Sequence, residues 1–439
     1  MKEFQIDDSD HIKSGGDQLS TSGKPRVLEL WKSLGFLDRF FALFVLLAMV
    51  LGLLIGNIAE DQVHQHLNGG AKWGNVSIPI LVGLLVMIWP PLSKVEWECL
   101  PKLLRARELW IHLTISLLLN WLFAPFVMAG LAWATLPEKE LQRERVGVML
   151  VGVARCVAMV LIWNGIARGD RNYWLYLHWL WFPNANGSAT QTRQLDARWP
   201  KPCLLKFHLT LRIAILVVFN SLLQMVLFAP YSLLFANILS RSPNSSTPAL
   251  QLDYGNVAQS VSIYLGIPLV AGGFTRGIVC MSLSPRRQEK FYHIWDHLSG
   301  IGLLYVITIL FASQGKHIIT HIGRVFRICV PLLLYFVIVW STTFYTFWRI
   351  RSTVWGQAHS TYDKAVTQAF TAGSNNFELA IAVAVASFGQ DAPEVLAATL
   401  GPLVEVPALL LLSYLALYLQ DQLDWPSKQP KTLNQTVEN

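Results

Sequence analysis

The chain has 439 residues, of which 53% are hydrophobic and only 14% are charged, against roughly 25% charged residues in soluble globular domains. So few charges cannot cover a soluble protein of this length, and the mean hydropathy of +0.40 agrees with that exclusion. The net charge of +7 comes from basic residues that gather beside apolar stretches, which indicates contact with the anionic lipids of a bilayer and not with nucleic acid.

Ten apolar stretches reach or approach the roughly 18 residues that cross a bilayer as a helix. We therefore predict an all-α polytopic membrane protein with ten transmembrane helices. In chain order they lie near 39–56, 76–92, 111–135, 146–167, 213–238, 256–275, 299–314, 325–347, 365–389 and 395–419. The polar residues 1–38 carry no apolar segment behind a basic start, so we expect a cytoplasmic tail and not a cleaved signal peptide. Residues 421–439 are predicted to form a second cytoplasmic tail.

The orientation is predicted from basic residues, which concentrate in alternate loops. They comprise Lys24, Arg26, Lys32, Arg39, Lys94, Lys102, Arg105, Arg107, Arg168, Arg171, Arg276, Arg286, Arg287, Lys290, Arg349, Arg351 and Lys364. Because loops rich in lysine and arginine stay in the cytoplasm, both termini are predicted to lie there. Two loops on the predicted outer side are also basic. Segment 138–145 contains as many glutamates as basic residues, whereas 316–327 contains no acidic residue.

The two halves of the chain echo each other. NSLLQMVLFAP (220–230) is similar to GPLVEVPALLL (401–411), which sets Gln224 opposite Glu405. Five spans per half is an odd number, so the second half would enter the membrane from the opposite side. We therefore predict a five-plus-five inverted repeat, which in secondary transporters places the substrate site near the membrane midplane.

Few polar side chains lie inside the predicted spans, and each is costly there unless it faces a cavity or a partner. They comprise Arg155 and Cys156 in the fourth span, Ser374, Asn375, Asn376 and Glu378 in the ninth, and Glu405 in the tenth. Gly147 and Gly152 precede the first group, and Gly373 precedes the second. We therefore predict that the fourth and ninth helices are discontinuous. Such breaks expose backbone groups to a ligand.

Most of these residues also have a structural interpretation. A cysteine inside a helix is commonly a small apolar filler, an arginine can extend its head group to the membrane surface, and Asn376 can hydrogen-bond a neighbouring helix. The two glutamates are harder to explain in this way. Apolar residues follow Glu378, and Glu405 lies between Pro402 and Pro407.

The five cysteines are Cys99, Cys156, Cys203, Cys280 and Cys329. They form no CxxC pair, and their spacing to histidines fits no zinc site. Neither a disulfide framework nor a metal centre is indicated, and no cofactor is expected.

Seven motifs, spread over most of residues 36–420, are similar to those of one known family. They are LDRFFALFVLLAMVLGLLIG, PPLSKV, ARCVAMVLIWN, NSLLQMVLFAP, SIYLGIPLVAG, TAGSNNFELAIAVA and GPLVEVPALL. Together they resemble the arsenical-resistance-type arsenite efflux permeases of the bile acid/arsenite/riboflavin transporter superfamily. The resemblance implies ten spans, crossed discontinuous fourth and ninth helices, and export of arsenite in exchange for protons. It also implies the plasma membrane rather than the vacuolar membrane, and antimonite as a second cargo.

The resemblance further implies which residues act. In this family a thiol in the fourth span and acidic residues in the last two spans are essential, and they correspond to Cys156, Glu378 and Glu405. Cys156 would be the ligand of arsenite. Other functionally sensitive positions are matched by Arg155, Trp163, Asn220, Arg276 and Asn376, and Asn375 is a further candidate beside Asn376.

One segment departs from the family pattern. Family members run almost directly from the fourth span into the fifth, whereas here the tryptophan-rich block 174–213 separates them. Our hypothesis is that this block is a retained intron or a misassigned exon. If it is real protein, it is a cytoplasmic loop inside the first repeat. The predicted repeats are 39–238 and 256–420.

The implied substrate suits these residues. Arsenous acid is a neutral trihydroxide at pH 7, so its carrier needs hydrogen-bond partners and a soft ligand instead of a counter-ion. A single thiol gives one reversible As–S contact. Arg155 could favour the thiolate, orient the hydroxyl groups or neutralise a carboxylate. The buried carboxyl groups would carry a proton that competes with arsenite.

Other functional classes make different demands. A sodium-coupled organic-anion carrier of the same superfamily would leave the thiol without a role. An intramembrane enzyme or receptor would need paired carboxylates, histidine clusters or large extramembrane domains, which the sequence does not offer. We therefore expect no enzyme. A product made inactive by 174–213 is a further alternative.

Overall fold

The computed structural model describes residues 36–63, 65, 72–73, 76–94, 107–156, 159–167, 210–240, 252–320, 322–389 and 392–425. Most of the two predicted tails, most of the 174–213 block, Cys99 and Cys203 lie outside these ranges. Within these ranges the chain is predominantly helical.

The first half of the chain contains eight described helices. They are α1 Phe36–Ile58, α2 Glu60–Val63, α3 Ile78–Ser93, α4 Arg107–Leu117, α5 Ala124–Thr135, α6 Gln142–Val153, α7 Met159–Ile166 and α8 Thr210–Ser232. A π-helical turn, Leu118–Phe123, joins α4 to α5, and a 3₁₀ turn, Lys139–Leu141, precedes α6. Two-residue strands, Lys72–Trp73 and Val76–Ser77, form a small antiparallel pair that the all-α prediction did not include.

The second half continues in the same way. Its helices are α9 Tyr254–Val261, α10 Ile267–Ser282, α11 Pro285–Thr320, α12 Ile322–Ile350, α13 Val354–His359, α14 Tyr362–Gly373, α15 Phe377–Phe388, α16 Pro393–Thr399 and α17 Gly401–Gln422. Two π-helical segments accompany them: Leu233–Leu239 extends α8, and Ser262–Gly266 joins α9 to α10.

Among the described residues, six helical stretches are long and apolar enough to cross a bilayer. They are Trp110–Thr135, Phe219–Leu239, Tyr254–Ser282, Lys290–Lys316, Ile322–Ile350 and Pro393–Gln422. Shorter apolar helices lie at Leu43–Ile58, Ile78–Ser93 and Phe377–Phe388. The protein is therefore a multi-pass membrane protein. A helix or a pair of helices coincides with each predicted span, while the number of crossings and the inverted repeat remain predictions.

The helix at the span predicted for 299–314 is much longer than that prediction. The helix α11 begins at Pro285 and runs for 36 residues to Thr320. Proline suits the first turn of a helix, where its missing N–H has no partner to lose. The charged residues that follow it do not interrupt the helix, although they lower the local hydropathy on which the prediction rests.

The helices form two packed groups. In the first group, α11 packs along α1 and α3, and α3 packs on α10. Small residues bring α1 and α11 close together, since a Cβ atom at Gly52 would lie 2.5 Å from the carbonyl oxygen of Thr308. Close backbone approach of this kind is typical of helix pairs in membranes.

The second group surrounds the two interrupted spans. Within it, α12 packs against α5, α14 and α17, and α6 packs against α5 and α16. Gly147 lies where α6 meets α16, since a Cβ atom there would collide with the Glu394 carbonyl group. This group contains the buried polar residues of the two broken helices.

Three ion pairs join the first turn of α6 and the residues just before it to the second half of the chain. Arg143 binds the buried Glu394 through two bonds, with Nε 2.9 Å from Oε1 and Nη2 3.0 Å from Oε2. Arg324 lies 3.3 Å from the buried Glu144. The pairing of Arg327 with Glu138 at the surface lowers the pKa of that carboxyl group.

These pairs account for the basic loop that departs from the charge rule. Segment 316–327 contains no acidic residue, but Arg324 and Arg327 are paired in space with glutamates of 138–145. The compensating charges are neighbours in the fold and not in the sequence, so a count along the chain misses them. The orientation of the termini remains a prediction.

Candidate functional site

The two interrupted spans meet at their breaks. After α6 and after α14 the chain runs extended, and Arg155 and Asn375 pair as an antiparallel β-bridge. The backbone N–H of Asn376 donates to the carbonyl oxygen of Ala154 at 3.0 Å. Because each extended segment satisfies backbone groups of the other, the break is tolerated inside the protein at membrane depth. Both spans are thus discontinuous, as predicted.

Two asparagines fix the geometry of this crossing. Asn376 is the N-cap of α15, and its side chain accepts a hydrogen bond from the Leu379 N–H at 3.0 Å, a contact typically worth about 1 kcal/mol. The Asn375 side chain donates to the carbonyl oxygen of Val151, in the last turn of α6, at 2.5 Å. Its backbone N–H lies 3.4 Å from Oε1 of Glu405. Asn375 therefore links three helices.

The guanidinium group of Arg155 is fully buried and is bound by carbonyl and hydroxyl oxygens. It donates to the carbonyl oxygens of Gly152 and of Ala372, the latter at 3.3 Å, and to the hydroxyl group of Tyr335 at 3.0 Å. Gly152 and Ala372 lie in the last turns of α6 and α14. The C-terminal end of a helix carries a partial negative charge, so Arg155 compensates two such ends at once.

Cys156 follows Arg155 directly in the extended segment and is 4% exposed. Of the other cysteines that the structure describes, Cys280 is exposed and Cys329 is half-buried. Within the described ranges there is no group of three or more histidine, cysteine, aspartate or glutamate side chains that could hold a metal ion. Among the cysteines that the structure describes, Cys156 at the crossing is therefore the one whose side chain is buried.

The two glutamates lie near the same crossing. Glu378 is in the first turn of α15 and is 8% exposed, and Glu405 is in the first turns of α17 and is 2% exposed. Glu378 follows Asn375 by three residues, and Glu405 Oε1 lies 3.4 Å from the backbone N–H of Asn375. No described lysine or arginine pairs with either carboxyl group. The site therefore contains two acids without a basic counterpart in the described ranges.

The remaining predicted residues are spread more widely. Trp163 is buried in α7, and its indole N–H has no hydrogen-bond partner among the described residues. Asn220 is buried in α8 and donates to the hydroxyl oxygen of Ser116 at 3.3 Å. Arg276 in α10 lies over the ring of Tyr292, 5.7 Å from its centroid. The contact described for Arg276 thus lies in the first helix group and not at the crossing.

Sequence reasoning missed Tyr335. Its hydroxyl group accepts from Arg155 and donates to the carbonyl oxygen of Ala372 at 3.2 Å. Tyr335 belongs to the long apolar run of α12, where a tyrosine has no neighbouring polar residue to mark it. Only the packing of α12 on α14 reveals its contact with the break.

Comparison with known proteins shows the family to which the chain belongs. The family model described as "Sodium Bile acid symporter family" matches residues 81–180 and 209–321. The chain is 34% identical to the arsenical-resistance protein Acr3 of Corynebacterium glutamicum over 392 residues, which are 89% of this chain and 91% of that protein. The chain belongs to the Acr3 family. This family is part of the bile acid/arsenite/riboflavin transporter superfamily, as the sequence motifs predicted, so the chain is a transporter and not an enzyme.

Two further relatives match over a similar length. An uncharacterised transporter of Synechocystis is 26% identical over 88% of this chain and 90% of its own length. The Acr3 protein of Alkaliphilus metalliredigens is 25% identical over 89% of this chain and 95% of its own length.

The packing of Phe377 against Gly401 gives a test of the site's geometry. A Cβ atom at position 401 would fall within the Phe377 ring, which adjoins Glu378. We expect Gly401→Ala to lower the stability of the protein by about 1–3 kcal/mol, as overpacking typically does. The melting temperature of the purified protein in detergent measures this loss.

Gly130→Ala is the matched control. Position 130 lies within α5, and a Cβ atom there would meet no atom within 4 Å. Alanine favours a helix over glycine by about 1 kcal/mol, so this variant should melt at the same or a higher temperature. Equal melting of both variants would contradict the close contact of Gly401 with Phe377.

Proposed function

We propose that the protein exports arsenite from the cytoplasm in exchange for protons and thereby confers resistance to arsenic. The observation that carries the proposal is the buried thiol of Cys156 at the crossing of two interrupted helices. Two curated relatives of similar length are named arsenical-resistance proteins. Antimonite, with the same thiophilic chemistry, is the second expected cargo.

The thiol suits reversible binding of arsenic(III). One As–S contact holds the metalloid without trapping it, whereas three converging thiols would release it slowly. The other two described cysteines are exposed or half-buried. Backbone and amide groups at the crossing supply hydrogen-bond partners for the hydroxyl groups of arsenous acid, which has no charge to neutralise.

The carboxyl groups suit proton exchange. Glu378 and Glu405 are both buried, and in the described ranges neither is paired with a basic side chain. A proton on either of them removes an unpaired buried charge, which is costly inside a membrane protein. Arg155, which could have neutralised a carboxylate, donates instead to Gly152, Ala372 and Tyr335. A proton is thus the simplest counterpart for the two acids, and its binding would alternate with that of arsenite.

The role of Cys156 is tested in a host that lacks its own arsenite exporter. The unaltered chain should restore growth on arsenite, and Cys156→Ser should lower the initial efflux rate by at least about tenfold, the factor that corresponds to a lost contact of about 1.4 kcal/mol. Cys329→Ser, which alters a half-buried thiol of α12, should leave efflux unchanged. Wild-type efflux in Cys156→Ser, with equal amounts of protein in the membrane, would end the thiol proposal.

Proton coupling is tested on Glu378. In everted membrane vesicles, an imposed pH gradient should accelerate arsenite uptake by the unaltered chain. Glu378→Gln keeps the shape of the side chain but cannot release a proton, so its uptake should be the same with and without the gradient. If the gradient accelerates uptake by this variant as strongly as by the unaltered chain, Glu378 is not the proton carrier.

The proposed location is the plasma membrane, with both termini in the cytoplasm. The argument for the orientation is the alternation of basic loops under the positive-inside rule. The argument for the plasma membrane is the resemblance to the arsenite efflux permeases. The basic segment 316–327 on the predicted outer side departs from this rule. Its ion pairs with the glutamates of 138–145 leave that surface less basic than its sequence suggests.

For the block 174–213 we propose an origin in unspliced or misassigned coding sequence. In support, the two stretches matched by the family model leave 181–208 between them. Sequencing of the transcript is the direct test. Reads that run through the block would refute this origin and make it a cytoplasmic loop, whereas its absence from mature transcripts would restore the short connection of the family.

A second candidate function is sodium-coupled transport of organic anions, favoured by the match to the sodium bile acid symporter family. It predicts sodium-dependent uptake of bile acid-like compounds that is insensitive to Cys156→Ser. Arsenite efflux without sodium dependence excludes it.

A further inference from the structure

A second group of polar side chains lies between α4 and α8. Ser116 belongs to α4, Asn120 to the π-helical turn that follows it, and Asn220 and Gln224 to α8, one turn apart on the same face. All four are buried. The Asn120 amide donates to the Ser116 hydroxyl oxygen at 3.1 Å, and the Asn220 amide donates to the same oxygen at 3.3 Å. Ser116 thus draws the two asparagines together.

Several atoms of this group lack a hydrogen-bond partner among the described residues. They are Oδ1 of Asn120, Oδ1 of Asn220, and both Oε1 and Nε2 of Gln224. A buried amide without a partner costs free energy, and leucine at position 224 would avoid that cost. Asn120 lies well inside the apolar stretch Trp110–Thr135, and Asn220 and Gln224 lie about ten residues or more from either end of the helix that α8 forms with Leu233–Leu239. Water from the membrane surface therefore does not readily satisfy them. The unpaired atoms therefore point to a ligand.

A helix of this group packs on the fourth span. The helix α8 packs against α4, α6 and α9, and α6 leads directly into the segment that holds Cys156. A π-helical turn such as the one that contains Asn120 is frequently found at functional sites. The amides of Asn220 and Gln224 thus lie on a helix that packs directly against the helix leading to the thiol.

The chemistry of the unpaired atoms defines the ligand. Three are amide oxygens, which accept hydrogen bonds, and one is an amide nitrogen, which donates. None of the four side chains is charged, so the group offers no carboxylate to a metal cation. A neutral solute with three hydroxyl groups matches three acceptors and one donor.

We propose that Asn120 and Asn220, which meet at Ser116, and Gln224, one turn further along α8, form a second binding site that holds the hydroxyl groups of arsenous acid and is separate from the thiol of Cys156. This inference rests on the proposed function, since it concerns the same substrate. The thiol would bind the arsenic atom, and the amide site would recognise the undissociated hydroxyl groups. Gln224, which the repeat sets opposite Glu405, would bind substrate and not a proton.

The test measures arsenite uptake into everted vesicles that contain the full chain, over a range of arsenite concentrations. Gln224→Leu removes two of the unpaired atoms and should raise KM at least about tenfold, while the maximal rate falls less. Asn120→Leu, on a different helix, should do the same. Ser413→Ala is the control, because the Ser413 hydroxyl group donates only within its own helix, to Leu409 at 2.8 Å; its KM should not change.

The outcomes separate the two proposals. If the unaltered chain takes up no arsenite, the proposed function fails and this site fails with it. If the unaltered chain is active and both leucine variants keep its KM, the site alone is overturned. The site is also overturned if a leucine variant keeps the KM for arsenite but its uptake loses a dependence on sodium ions that the unaltered chain has. The amides would then hold a cation. If the leucine variants do not reach the membrane, Gln224→Asn replaces them, because it keeps an amide group but shortens the side chain. A KM raised at least about tenfold then supports the site, and an unchanged KM overturns it.

Discussion

The structure depends on how the backbone is satisfied where two membrane helices are broken. Inside a bilayer an exposed N–H or C=O group has no water to bind, so an interrupted helix is stable only if other protein groups replace the missing bonds. Here each broken helix provides hydrogen-bond partners for the other. The bridge between Arg155 and Asn375 and the hydrogen bond from the Asn376 N–H to the Ala154 carbonyl oxygen join the two extended segments. Neither break is explicable alone, and both together fix where Cys156, Glu378 and Glu405 lie.

The same constraint explains the arginine in the middle of an apolar run. Two helices that end at one point bring two partial negative charges together, and a cation between them lowers the energy of both ends. Arg155 satisfies carbonyl oxygens from each helix and takes the Tyr335 hydroxyl group as a third partner. Its charge is thereby used within the scaffold, which leaves the carboxyl groups of Glu378 and Glu405 for other partners. A guanidinium in this position organises the site through geometry.

The sequence predicted the helical class, the positions of the apolar stretches and both breaks, because these depend on local hydropathy and on glycines and polar residues within the spans. It also predicted the family. It could not predict the partners of Arg155, since Tyr335 is distant along the chain and lies in an apolar run. The pairing of Arg324 with Glu144 was likewise hidden, because hydropathy and charge counts record neighbours along the chain only. The amide group around Ser116 was predicted only in part: the family resemblance named Asn220, and the predicted repeat set Gln224 opposite Glu405, but the contact of Asn120 and Asn220 with Ser116 joins residues that are distant along the chain.

The ion pairs at the start of α6 have a mechanical consequence. Arg143, Glu144 and Glu138 belong to the first half of the chain, and their partners Glu394, Arg324 and Arg327 belong to the second. Any rocking of one half against the other that widens this face must pull opposite charges apart and bring the buried carboxylates of Glu144 and Glu394 into contact with water. Dissolved ions screen such separated charges. The ionic strength of the solution that bathes this face therefore enters the energetics of the movement, even though the proposed cargo, arsenous acid, is uncharged.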